Sequence, residues 1–356
     1  MNKTGQFQCL RFLACAVLVA AIGEGIHADT DYPEKRSPFL AVPLVSSNPK
    51  LDTSVGAMVG YLKQFDQESM PSLFGVSGTY SASDSHVLIA FGQAFFEQGR
   101  QRFNFAVSEG KANNNYDDFL DSGMPAQTSD NFDALAARYL LSPSPNWYFG
   151  AQALSSNYVI EAEGLLDQML EDIGLTGLQS VGLGLVAEYD SRDNTRNPSR
   201  GKYFNVQNYS YREALGGNAN FDAVRTDWAG YLPLSARYTL AVQATGRWTQ
   251  GAPVTGYSSI SLRGYVRGMY LAPNYTHVAV DNRLKLKGNL SVTAYAGLAC
   301  LYEKVSECSK STDLFPAIGL GLSYLLRAQA GIILRADITQ GKGDNQALYL
   351  TLKNPF

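Results

Sequence analysis

The sequence predicts an all-β fold, a transmembrane antiparallel β-barrel of about 16 strands. Three observations lead to this prediction. Short segments of alternating apolar and polar residues follow one another along most of the chain. An ordinary soluble sheet buries its apolar face and exposes its polar face to water, but here the pattern recurs along most of the chain and the polar parity is heavily charged. Short and long connections also tend to alternate, as in membrane barrels with short periplasmic turns and long external loops.

The segment 277–287 shows the alternation clearly. Its apolar parity comprises Val278, Val280, Leu284 and Leu286. Its polar parity comprises His277, Asp281, Arg283, Lys285 and Lys287. Segments 236–248 and 329–339 repeat the pattern. Because successive side chains point to opposite faces of a strand, we expect one face to contact lipid and the other to enclose water and ion pairs.

About 16 such segments can be delimited, with boundaries good to about two to four residues. The predicted strands are 37–46, 54–64, 73–82, 86–96, 101–109, 132–141, 146–156, 179–190, 201–212, 219–231, 236–248, 276–287, 289–300, 314–325, 329–339 and 346–356. The long connections, all expected outside, are 110–131, 157–178, 249–275 and 301–313. Connection 157–178 has an apolar stripe at helical spacing and predicts a short amphipathic helix. That helix packs against other loops or, alternatively, binds a partner.

Composition excludes several classes of protein. The chain has 356 residues, a net charge of -3, 45% hydrophobic and 17% charged residues, which fits neither a disordered nor a nucleic-acid-binding protein. Outside the N-terminus no apolar run is long enough for a transmembrane helix. The sequence has no nucleophile elbow, zinc-protease motif or phosphate-binding loop, and Gly182-x-Gly184-x-x-Ala187 lies inside a predicted strand. We therefore expect that the protein is not an enzyme and that it binds neither a cofactor nor a metal ion.

The N-terminus predicts export. Residues 1–28 have a basic start, an apolar core and a cleavage site after Ala28, which is typical of a signal peptide. A lipoprotein signal through Cys15 is the alternative. Residues 29–36 would then form a periplasmic leader and 37–356 the barrel. The exported part keeps Cys300 and Cys308, which predicts a disulfide, with two free thiols as the alternative.

Three motifs carry a resemblance to a known family. The first is Leu262-Arg263-Gly264-Tyr265. The second runs through Asp190, Arg192, Asp193, Asn194, Pro198 and Gly201. The third is a terminal strand with Tyr349, Leu350, Leu352 and Phe356. In order and spacing they resemble the loop motif, the turn signature and the C-terminal assembly signal of the BamA/TamA-type outer-membrane barrel superfamily, also called bacterial surface antigen barrels. The likeness covers essentially all of 37–356.

The resemblance implies a location and partners. Members are integral proteins of a Gram-negative-type outer membrane that insert or secrete other proteins. The expected partners are outer-membrane lipid, the barrel-assembly machinery for the chain's own insertion, and client proteins. Full members carry periplasmic POTRA domains, for which this sequence has no room, so we expect a separate periplasmic partner or a lost assembly role. Nucleic acid is not expected.

The resemblance also implies a loop lock. The long sixth external loop would fold into the lumen, and Arg263 would form a bidentate ion pair with Asp281, whose acid-x-Arg pattern Arg283 completes. The family's second acidic position is Tyr295 here, so the lock is expected to depend on Asp281 alone or on the Tyr295 hydroxyl. The alternative is an arginine solvated in a free loop.

Two other functions stay open. A passive pore or surface antigen would have a lumen that favours anions. The inward basic residues predicted for it are Arg237, Arg247, Arg283, Lys285 and Arg335. A purely structural or adhesive barrel is the third possibility. Pro355 in the terminal strand cannot donate to a ladder, which indicates either a weakened barrel closure or a frayed end.

Overall fold

The computed structural model describes residues 37–48, 52–116, 125–162, 165–172, 176–328, 330–343, 345–352 and 354. The predicted signal peptide 1–28, the leader 29–36, Pro355 and Phe356 lie outside these residues. In the described part, no helix has the length and apolar character needed to cross a membrane. The strands close into an antiparallel barrel, which confirms the predicted fold class.

In the part of the chain that the structure describes, sixteen strands form the barrel and two further strands form a small sheet. The barrel strands are β1 (Phe39–Asn48), β2 (Asp52–Lys63), β3 (Ser72–Ser81), β4 (His86–Phe96), β5 (Gln101–Tyr116), β6 (Ala126–Ser144), β7 (Trp147–Glu161), β8 (Gly177–Asp190), β9 (Gly201–Tyr211), β10 (Phe221–Pro233), β11 (Tyr238–Gln250), β14 (Asn274–Lys285), β15 (Leu290–Tyr302), β16 (Leu314–Arg327), β17 (Ile332–Gln340) and β18 (Gln346–Thr351). The small sheet pairs β12 (Ser258–Ser259) with β13 (Leu271–Ala272). The helix predicted within 157–178 is α1 (Leu165–Asp172).

The exposure of the strands is the reverse of that in a soluble sheet. On β14, Val278 is 56% exposed whereas Asp281 is 0% exposed. On β17, Ile338 is 50% exposed whereas Arg335 is 0% exposed. Apolar side chains outside and buried charges inside are the pattern of a barrel that meets lipid on its outer face.

Strands β5 and β6 extend further than the sequence predicted. The expected long loop 110–131 is mostly ladder, because Lys111 to Tyr116 pair with Ala126 to Asn131. Polar side chains support this extension; for example, Asn114 Nδ2 donates to Thr128 Oγ1 at 3.0 Å. Most residues in this part of the hairpin are polar, so no apolar parity marked them as strand.

The lumen is apolar along one wall. Leu40 and Val42 of β1 and Met58 of β2 are buried and pack with Ala330 and Ile332. The prediction that the inward parity is polar and charged is therefore wrong for this wall. The apolar contacts bring the turn between β16 and β17 against β1, across the barrel closure.

The barrel closes between β1 and β18 through its shortest ladder. A single registered pair, Ser47 with Leu348, joins them among the described residues. By contrast, β17 and β18 share six registered pairs and β10 and β11 share twelve. We call this closure the seam.

The predicted disulfide between Cys300 and Cys308 is confirmed, with a Cα–Cα distance of 5.7 Å. It joins the end of β15 to the loop that follows. Because it closes a short loop, we expect reduction to lower the free energy of unfolding by roughly 2–3 kcal/mol. Urea unfolding with and without dithiothreitol measures this difference. The double variant Cys300→Ser/Cys308→Ser is the control, since its unfolding should not respond to the reductant; a response there would contradict the assignment.

Candidate functional site: the lumenal loop and the periplasmic turn

The loop 251–273, between β11 and β14, forms part of the protein core. Ile260 is 0% exposed and Leu262 is 3% exposed. Both pack against side chains from the barrel wall, among them Tyr275 and Ala299. The apolar residues of the loop hold it against the wall, so the arginine between them is brought to a fixed place.

Gly264 lets the loop turn sharply against β17 and β18. Its φ is +97°, and a Cβ there would lie 3.2 Å from the Gly341 nitrogen. Its N–H donates to the Tyr349 hydroxyl at 3.2 Å. The left-handed conformation and the close approach both favour glycine. Tyr349, predicted as part of an assembly signal, therefore also contacts the loop.

Tyr265 binds the loop to the start of β16 and to the residues just after β17. Its hydroxyl donates to the Pro316 carbonyl at 2.6 Å and accepts from the Lys342 N–H at 2.7 Å. Burial raises the pKa of Tyr265 to about 12. The hydroxyl therefore stays protonated at neutral pH and remains a donor.

Arg263 lies between two carboxylates and an aromatic ring. Its Nη2 is 3.6 Å from Asp281 Oδ1, and its Nη1 is 3.4 Å from Asp337 Oδ1. The guanidinium carbon lies 3.6 Å from the centroid of the Tyr295 ring. Tyr295 thus contacts Arg263 through its ring face, a cation–π geometry. The side chain of Arg263 is 11% exposed.

The bidentate bond expected for Arg263 is made by another arginine. Arg335 Nη1 and Nη2 donate to Asp281 at 2.7 and 3.0 Å, and Arg335 Nε donates to Asp337 at 2.8 Å. Arg283 Nε donates to Asp281 Oδ2 at 3.0 Å. We call Arg263, Arg283, Arg335, Asp281 and Asp337 the lock cluster. With three arginines and two aspartates, its formal charge is 3 − 2 = +1.

Sequence reasoning missed Asp337 and the role of Arg335. A signal was present: Arg335-x-Asp337 repeats, in reverse order, the Asp281-x-Arg283 pattern on the same inward parity. Two inward patterns with opposite charges at matching spacing favour an ion-pair network across the lumen.

The turn signature 190–201 joins β8 to β9 at the end of the barrel that is predicted to be periplasmic. Asp190 accepts from Arg192 Nε at 2.8 Å and from Arg102 Nη1 at 2.8 Å. Arg102 also donates to Glu188 at 2.7 Å. The ion pairs of the turn therefore include residues of β5 and β8, which the sequence did not indicate. Arg200 and Asp193 are 3.9 Å apart, with the arginine side chain exposed.

Side-chain acceptors shape the turn itself. Asn194 Oδ1 accepts from the N–H groups of Arg196 and Asn197, both at 2.9 Å. Asp193 Oδ1 accepts from the Ser199 N–H at 2.8 Å. Such local bonds are typical of Asx turns. At the end of the turn Gly201 has a φ of +101°, which favours glycine.

The remaining predicted residues lie apart from the lock cluster. Leu352 packs against the apolar wall beside β1, and Leu350 is partly buried on β18. Of the predicted pore residues, Arg237 and Lys285 are exposed near the rim that is predicted to be periplasmic. Arg247 instead donates to Ser258 Oγ at 2.8 Å, within the lumenal loop.

A polar cavity of about 320 Å³ remains in the lumen. Its charged lining residues are Arg102, Arg138, Arg192, Arg225, Glu188 and Asp227. Among the described residues, no group of histidine, cysteine, aspartate and glutamate could hold a metal ion.

Comparison with known proteins places the chain among barrels of one superfamily. The family described as the Omp85 superfamily domain matches residues 71–272. BamA from Haemophilus ducreyi lacking POTRA domains 1-3 is 12% identical, with a TM-score of 0.57 over 89% of this chain and 70% of that chain.

Two CdiB structures give a similar match. CdiB from Acinetobacter baumannii is 12% identical, with a TM-score of 0.55 over 88% of this chain and 58% of that one. CdiB from Escherichia coli is 12% identical, with a TM-score of 0.57 over 90% and 63%. The chain thus spans less than two thirds of either CdiB chain. At these identities the likeness shows a shared fold. No curated protein sequence matches the chain.

Proposed function

The chain belongs to the Omp85 superfamily, and from this premise we propose that it is an integral outer-membrane barrel that assists the insertion or translocation of other proteins. Its action in this proposal is mechanical and not enzymatic. The proposed partners are outer-membrane lipid, the machinery that inserts the barrel itself, client proteins and a separate periplasmic partner.

The observation that carries the proposal is the seam. Among the described residues, one registered pair, Ser47–Leu348, joins β1 to β18, so opening this ladder costs fewer backbone hydrogen bonds than opening any other ladder described. Each net hydrogen bond contributes about 0.5–1.5 kcal/mol. An opened seam exposes strand edges, which are templates for pairing with another chain. A client strand could be admitted there with little loss of barrel structure.

The filled lumen supports the same proposal. Residues Ile260 and Leu262 pack in the interior, and the lock cluster spans from the loop to β14 and β17. A lumen that is occupied by a packed loop is a poor path for the flow of solutes. A barrel with a weak seam in its wall also needs a rigid interior, because the rest of the barrel must stay closed when the seam opens. The lock cluster would supply that rigidity.

A disulfide across the seam tests the proposal. In the variant Ser47→Cys/Leu348→Cys the two cysteines occupy a registered pair, whose Cβ atoms lie about 4.5–5.5 Å apart. Depletion of the protein should remove specific barrels from the outer-membrane proteome. Wild type should restore them, and the cross-linked variant should restore them only after reduction.

The control variant is Leu232→Cys/Leu240→Cys, a registered pair within the β10–β11 ladder. It should restore the proteome in both redox states. An unchanged proteome after depletion, together with large steady currents through the purified barrel in planar bilayers, would contradict the proposal and favour the passive pore. The arginine-lined cavity is the feature that such a pore would use.

A further inference from the structure

The periplasmic turn 191–200 reaches across the mouth of the barrel. In the closed order of strands, β8 and β9 lie opposite the seam between β1 and β18. Nevertheless Thr195 Oγ1 donates to the Met70 sulfur at 3.6 Å, in the turn between β2 and β3. Pro198 accepts through its carbonyl from Arg283 Nη1 at 3.0 Å. The turn therefore bridges the lumen from one wall to the other.

Arg196 anchors the far end of the turn without a carboxylate partner. Its Nη1 donates to the carbonyls of Pro71 and Ala330, both at 3.1 Å. The residue is 5% exposed, and no acidic oxygen of the described chain lies within 4.0 Å of it. Burial lowers the pKa of Arg196 to about 10, so it is still a cation at neutral pH. Burying a charge without a carboxylate partner costs free energy, which indicates that the position of Arg196 in the fold is important.

Asn354, which follows β18 in the chain, contacts this turn. Asn354, 6% exposed, donates its N–H to the Arg196 carbonyl at 3.0 Å. Its side-chain Nδ2 donates to Asn197 Oδ1 at 2.5 Å. Its Oδ1 accepts from Arg335 Nη1, a member of the lock cluster, at 2.9 Å. Three polar groups of one residue are thus met by partners from two distant parts of the chain.

We propose that the turn 191–200 and Arg335 form a binding site for Asn354, beyond the end of β18, with its carboxamide as the recognised group. The site presents one acceptor and one donor at a fixed spacing. Asparagine matches both, aspartate lacks the donor that Asn197 requires, and leucine lacks both groups. Burial then makes each missing bond costly.

The site has a consequence for the seam. Strand β18 is held by its ladder with β17 and, just beyond its end, by the opposite wall of the barrel. Among the described residues, a single registered pair joins β1 to β18, and the other contact across the seam is the apolar packing of Leu352 beside β1. The site therefore keeps β18 with the body of the barrel when the seam opens. This inference holds for the folded barrel whether or not it handles clients.

Hydrogen exchange of the purified, folded barrel tests the site. The variants Asn354→Ala, Asn197→Ala and their combination should each speed exchange of the β18 amides 347–351 by roughly three- to tenfold. Because both side chains take part in one bond, the double variant should speed exchange by less than the product of the two single-variant factors. Amides of β10 and β11 should not change. The control is Asn289→Ala, an exposed asparagine in the turn between β14 and β15.

A cross-link gives an independent measurement on the full chain. In the variant Asn197→Cys/Asn354→Cys, a disulfide should form in the folded barrel and slow β18 exchange below the wild-type rate. The pair Asn289→Cys/Asn354→Cys should not cross-link within the monomer. Unchanged β18 exchange in both alanine variants, or absence of the 197–354 cross-link, would overturn the proposal. These readouts are separate from client insertion, so the proposal can fail while the proposed function stands, and the reverse.

Discussion

Replacing Asp281 with asparagine is expected to lower the free energy of unfolding of the barrel by roughly 3–5 kcal/mol. Asp281 is fully buried and accepts from Arg335 and Arg283, while Arg263 lies 3.6 Å away. The substitution keeps the shape of the side chain but removes its charge. Three buried guanidinium groups are then left with one carboxylate, and the formal charge of the lock cluster rises from +1 to 3 − 1 = +2.

Urea unfolding of the refolded barrel in lipid or detergent, followed by the mobility shift of the folded form on gels, measures this loss. The matched control is Asp222→Asn, which breaks an Asp–Arg pair of 2.9 Å with Arg212 whose side chains are 48% and 40% exposed. Exposed pairs contribute about 0–1 kcal/mol. Equal losses in the two variants would contradict the view that the lock cluster stabilises the barrel interior.

The fold could be predicted because its signal is local. Whether Val278 meets lipid and Asp281 meets the lumen depends only on which parity each residue occupies in its own strand. The alternation of apolar and polar residues does not predict a strand where both of its faces have the same environment. Residues 111–116 and 126–131 are mostly polar and form no apolar parity, so the alternation did not reveal that they extend β5 and β6.

The candidate site could be predicted only in part, because its partners come from distant strands. Arg263, Asp281 and Arg283 follow from motifs with fixed order in the chain. That Arg335 rather than Arg263 takes the bidentate position on Asp281 depends on how deeply the loop enters the lumen. Loop depth is set by the packing of Ile260 and its neighbours, which no spacing in the sequence records.

The turn 191–200 shows the same limit. Its Asx-type bonds at Asn194 are readable from the sequence, because turn residues act on their own backbone. Its direction is not, since the Arg196 contacts with Pro71 and Ala330 join residues more than a hundred positions apart. The form of the turn follows from hydrogen bonds within it. Its contacts with Pro71 and Ala330 depend on the diameter of the closed barrel.

Adding Arg263→Ala to Asp281→Asn is expected to recover part of the lost stability, about 1–3 kcal/mol. Arg263 makes the longest ion pairs of the lock cluster, whereas Arg335 and Arg283 bind Asp281 and Asp337 directly. Removing Arg263 alone brings the formal charge of the cluster to 2 − 2 = 0, so this variant should lose less stability than Asp281→Asn. In the double variant the charge is 2 − 1 = +1, as in the wild type.

Urea unfolding of the wild type, the two single variants and the double variant gives the coupling between the two sites. Arg225→Ala in place of Arg263→Ala is the matched control, because Arg225 pairs with Asp227 at 2.7 Å outside the lock cluster and its effect should add to that of Asp281→Asn. If the stability effects of Arg263→Ala and Asp281→Asn also added, excess positive charge would not destabilise the lock cluster. Coupling confined to Arg263 would instead show that this arginine is held at an electrostatic cost, which the packing of the loop around it must offset.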